Sequence, residues 1–122
     1  MKLFLERMVT LLKERSGVQA QIDGGFVFDD SVEGLARHSY GGGHILYVNP
    51  LKIEELVQNK HQMAYKLWDM TIHEFAHIWC YLEDGNQYHN ESYVLKTHQA
   101  RDLMWDQREV QAVFNECWKA VK

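Results

Sequence analysis

Between Met70 and Leu82 nine of thirteen residues are apolar, and the four exceptions are Thr71, His73, Glu74 and His77. No other stretch constrains the fold of this chain as tightly. At about 100° per residue, Ala64, Leu67, Trp68, Thr71, Phe75, Ile78, Trp79 and Leu82 share one arc of a helix, with His73 and His77 opposite. The periodicity predicts a helix over 62–82, stopped by Asp84 and Gly85. A helix that is apolar almost all round is a core helix. A glutamate and two histidines inside it are costly to bury unless something compensates them.

The rest of the chain has to wrap that helix. Residues 2–15 read as an amphipathic helix carrying Phe4, Met8, Leu11 and Leu12, stopped by Ser16 and Gly17. Seven of the eight glycines fall between 17 and 43, where the apolar runs are short. Strands are expected at 25–28, at 34–40 and, most clearly, at 44–48 after the turn Gly41, Gly42, Gly43; Pro50 closes the region. A short helix is expected at 52–59, a polar histidine-rich stretch up to about residue 100, and a final helix over 103–121. The class is therefore α+β: an N-terminal helix, a small glycine-punctuated sheet, the buried helix and a C-terminal helix. The 122 residues supply one core, so a single domain spanning 1–122 is expected.

His73-Glu74-Phe75-Ala76-His77 is an H-E-x-x-H sequence. The i, i+4 spacing sets the two imidazoles one turn apart, about 40° around the helix, where they can share one tetrahedral zinc. Glu74 lies beside them as general base toward a metal-activated water. A catalytic zinc takes a third protein ligand. An extended motif would place glycine at 80 and a ligand at 83, but those positions hold Cys80, which reads as a small core residue, and Glu83. His89, past the turn at Asp84 and Gly85, is the preferred third ligand, with Glu91, His98 and Glu109 as alternatives. His44, Tyr40, Tyr88 and Tyr93 are candidate donors to a tetrahedral oxyanion.

The run Thr71-Ile72-His73-Glu74-Phe75-Ala76-His77-Ile78-Trp79, then Asp84-Gly85, then His89 with Tyr93 four residues later, resembles the SprT-like zinc metallopeptidases. Gly34-Leu35-Ala36-Arg37 and Gly43-His44-Ile45-Leu46-Tyr47-Val48-Asn49 look like that family's strands before the metal helix. Asn90 stands where the family usually has glycine. The resemblance implies a minimal zincin-like fold, with His73, His77 and His89 as zinc ligands and Glu74 as general base. It also implies a sheet edge beside the metal helix, here the strand 44–48, that pairs with an extended substrate.

A zinc-dependent endopeptidase acting on a protein or peptide substrate is the expected function. Two alternatives carry the same motif. One is a non-catalytic zinc-binding module, with Tyr65, Trp68, Trp79, Tyr81 and Tyr93 available to a protein partner. The other is an ImmA-type gluzincin that cleaves a regulator protein, with Glu109 as ligand. A net charge of −4 gives no bulk-charge basis for nucleic-acid binding. No apolar run reaches the length of a membrane span. Cys80 and Cys117 form no C-x-x-C pair or disulfide framework, so a reducing cytoplasm is the expected compartment.

Overall fold

The first helix, α1 (Lys2–Ser16), turns Phe4, Leu5, Met8, Val9 and Leu12 inward and ends at Gly17, whose N–H bonds the Lys13 carbonyl. The structure, a computed structural model, describes residues 2–28, 34–38, 43–49, 60–85 and 91–121. Strands β1 (Gln21–Phe26), β2 (Gly34–His38) and β3 (Gly43–Val48) form one mixed sheet in the order β1-β3-β2. β3 runs parallel to β1, with Ile22 opposite His44, and antiparallel to β2, with Ala36 opposite Leu46.

The period-two pattern of β3 is visible in its burial. His44, Leu46 and Val48 are buried, while Gly43, Ile45 and Tyr47 are half-buried. Two expectations are corrected here. The strand 44–48 is not the sheet edge but its centre, hydrogen-bonded on both sides. Its apolar run is what a central strand requires. β1 starts at Gln21 rather than 25, because pairing with β3 recruits the polar residues Gln21 and Asp23 ahead of the apolar ones.

Three further helices complete the described residues: α2 (Lys60–Asp84), α3 (Glu91–Leu103) and α4 (Gln107–Val121). α2 packs against β2, β3, α1, α3 and α4, and so occupies the middle of the molecule. It stops at Gly85, which sits at φ 66° and returns its N–H to the Tyr81 carbonyl at 2.8 Å. That left-handed backbone costs glycine little. The core joins Phe4, Leu5 and Leu12 of α1 to Leu67, Phe75 and Ile78 of α2 and Val110 and Phe114 of α4. Phe4 meets Phe114 edge-on, ring centres 5.3 Å apart.

The stretch expected to be polar loop is partly the helix α3, which buries Tyr93, Lys96 and Ala100. Lys96 crosses the Trp79 ring at 4.4 Å and pairs with Glu83 at the end of α2. Its buried stem does the packing an apolar side chain would do elsewhere. The final helix starts at Gln107 rather than 103, because Asp106 caps it: the Asp106 carboxylate accepts from the Arg108 N–H at 2.9 Å. The expected helix at 52–59 lies outside the described residues. Among the described residues no helix is long and apolar enough to cross a membrane.

Candidate functional site

α2 is buried at Met70, Thr71, Ile72, Phe75, Ala76, Ile78 and Cys80, as its composition demands. Thr71 satisfies its hydroxyl by donating to the Leu67 carbonyl at 2.6 Å. Among its half-buried residues, Asp69, His73, His77 and Tyr81 form a stripe at four-residue spacing. α3 lies along it. The Tyr93 ring stacks on His77 with centres 4.1 Å apart, and its hydroxyl stands 3.3 Å from both His73 Nδ1 and the His73 carbonyl. Further along α3, Arg101 Nη2 lies 2.7 Å from Asp69 Oδ1 and 3.2 Å from His73 Nε2.

These contacts assign the His73 tautomer. A guanidinium only donates, so His73 Nε2 accepts from Arg101 and the ring proton sits on Nδ1. Nδ1–H then donates to the Tyr93 oxygen, and the Tyr93 O–H donates to the His73 carbonyl. An imidazole whose Nδ1–H is held by a partner presents its Nε2 lone pair outward, which is how a metal-binding histidine is held.

Glu74 sits beside this stripe under different conditions. Burial pushes its carboxyl up to about 7 from the usual 4.5, and burial is the only cause. Among the described residues nothing donates a hydrogen bond to it and no cation pairs with it. The first residue of β2 explains how the sheet reaches so close. A Cβ on Gly34 would stand 2.9 Å from Glu74 Cγ, from Glu74 Oε1 and from the Tyr47 carbonyl oxygen. Glycine there lets the strand backbone lie against the carboxylate. Among the described residues β2 pairs with β3 alone, so its outer edge is the one open beside Glu74.

The other sequence candidates are distributed as follows. His89, Tyr40 and Tyr88 lie outside the described residues. Glu109 forms a two-pronged ion pair with Arg15 at 2.7 Å per contact, and Arg15 holds its carboxyl below the usual range. Glu83 accepts from Trp79 Nε1 at 2.9 Å besides pairing with Lys96. Glu91 and His98 are exposed on α3. His44 is buried edge-on to Tyr81 at 6.2 Å, and burial holds its imidazole below the ordinary histidine range. Tyr93 spends its hydroxyl on His73, which makes it an orienting group for that ring. Cys80 is in the core, as read from the sequence.

Asp69 and Arg101 were not singled out from the sequence. Asp69 had a signal, four residues before His73 on the same helical stripe. Arg101 had none, since 28 residues separate it from His73. Among the described residues no three His, Cys, Asp or Glu side chains gather closely enough to hold a metal ion. The donor types present do suit zinc: two imidazoles at i, i+4, one in the tautomer a metal needs, beside a mostly buried carboxylate that no cation offsets. Among the described residues, the Arg101 N–H on His73 Nε2 would have to yield to a metal.

No family model matches the chain, and no curated protein and no solved structure matches it either.

Proposed function

We propose that this chain is a zinc-dependent endopeptidase domain of the SprT-like kind, with His73, His77 and His89 as zinc ligands and Glu74 as general base. One observation carries the proposal: a mostly buried carboxylate, beside two imidazoles of the same helix and against a strand edge, that has no hydrogen-bond or ionic partner and faces no further strand among the described residues. Such an uncompensated group costs stability and marks a site built for a ligand rather than for packing. Zinc, when bound there, supplies a Lewis acid that polarises the scissile carbonyl and acidifies water.

The chain's own residues supply the rest. The outer edge of β2 offers backbone N–H and C=O groups to an extended peptide, a mode of binding that tolerates many sequences. Gly34 brings that peptide's backbone within reach of Glu74. Glu74 takes the proton of the attacking water and delivers it to the leaving amine. Tyr93 fixes the His73 ring through Nδ1 and covers the His77 ring. The gluzincin alternative loses ground because Glu109 is committed to Arg15. The buried thiols of Cys80 and Cys117 suit a reducing cytoplasm.

The test is zinc content by elemental mass spectrometry together with hydrolysis of an unstructured protein substrate. Wild type should carry about one zinc per chain, and His89→Ala should hold it more weakly. Glu74→Gln should keep its zinc and lose hydrolysis by about 100-fold or more. Loss of zinc along with activity in Glu74→Gln would overturn the role given to that residue.

A further inference from the structure

Arg101 holds the nitrogen of His73 that a metal would need. Its Nη2 stands 3.2 Å from His73 Nε2, and the same Nη2 is tied to Asp69 Oδ1 at 2.7 Å. The guanidinium carbon also lies over the Trp68 ring, 5.4 Å from its centre, so the group is held by an ion pair and an aromatic face together. Zinc binds an imidazole nitrogen at about 2.0–2.1 Å. An ion placed on that lone pair would fall well inside contact distance of Nη2, and both groups are cations. Metal and guanidinium are therefore mutually exclusive on His73.

We propose that Asp69 and Arg101 form a displaceable plug on His73 Nε2, and that a divalent metal enters only by pushing the guanidinium off that nitrogen. The proposal rests on the zinc reading above and adds which group of the chain competes with the metal for that nitrogen. The displaced guanidinium has somewhere to go, because Asp69, at 22% side-chain exposure, retains it close to solvent. The plug also keeps the proton on Nδ1, bonded to Tyr93, so the ring needs no tautomer change when the metal arrives. The apparent metal affinity is then the intrinsic affinity scaled by the fraction of molecules with the plug released.

The full chain, stripped with a chelator, is titrated with zinc against a chromophoric competitor, wild type beside Arg101→Gln, with circular dichroism checking that each is folded. Arg101→Gln should bind zinc at least about tenfold more tightly, the plug being closed in nine molecules of ten or more. In isotope-labelled wild type the guanidinium resonance of Arg101 should move when an equivalent of zinc is added. Equal or weaker binding by folded Arg101→Gln, while wild type takes up zinc, overturns the plug and leaves the zinc site standing. Absence of zinc uptake by both chains overturns both. Should Arg101→Gln not fold, the wild-type resonance decides: movement on zinc addition supports the plug, and an unmoved signal overturns it.

Discussion

The two sides of α2 are built from the same helix and held in different ways. On one side Leu67, Phe75 and Ile78 are at 0% exposure and lie in the cluster formed with α1 and α4. On the other, Asp69 and His73 keep 22% and 43% of their side chains exposed, and α3 covers the stripe through Arg101 and Tyr93. Burial of the first kind is non-directional and scales with apolar area. The second depends on a few directed contacts, each exchangeable for another ligand of similar geometry. α2 carries one kind of contact on each side, the combination that the proposed exchange of metal and peptide would need.

The comparison breaks first if the apolar side does not dominate stability. Phe75→Ala should cost about 3–5 kcal/mol in chemical denaturation; a cost below about 1 kcal/mol would show that the core lies elsewhere. Next in size is the approach of β2 to Glu74. Gly34→Ala puts a methyl group 2.9 Å from the Tyr47 carbonyl oxygen and from Glu74. Displacing strand and carboxylate in this way should lower kcat/KM by on the order of 100-fold and stability by about 1–3 kcal/mol, while zinc content changes little. Unchanged hydrolysis in that variant would remove β2 from the site.

The smallest effect belongs to Glu109, which sequence reasoning had offered as a zinc ligand. Arg15 holds its folded-state carboxyl below the ordinary 4.5. The unfolded chain therefore binds the proton more readily, and the ion pair contributes above about pH 4.5 and is lost as pH falls. The pair is one-third exposed on each side, so Glu109→Gln should cost less than about 1 kcal/mol near neutral pH, and the difference from wild type should vanish toward pH 3. Loss of zinc in this variant would put Glu109 in the metal site and reverse the distinction drawn between the two ligand candidates.

Legibility in the sequence followed how local the determining physics was. α2 could be read because its apolar residues recur at helical spacing, and its end because Gly85 accepts a left-handed backbone. α3 was hidden because its inward residues are Tyr93, Lys96 and Ala100, a stripe whose middle member is charged. The start of α4 was marked by Asp106 three residues before Glu109, a capping pattern that the apolar periodicity overshadowed. The central place of β3 was marked by its apolar run, whereas which strand lies on each side of it was not.

By itself the sequence determined the α+β class, a helix buried around His73, Glu74 and His77, and the spacing that sets the two imidazoles one turn apart. Their spacing along one helix is a local property, set by the rise and twist of the backbone. The tertiary structure alone decided which strand lies on each side of β3, that β2 pairs, among the described residues, on one side only, that Tyr93 covers His77, and that Arg101 stands on His73 Nε2. Those facts depend on contacts between residues of different elements, and such contacts are set by how whole elements pack.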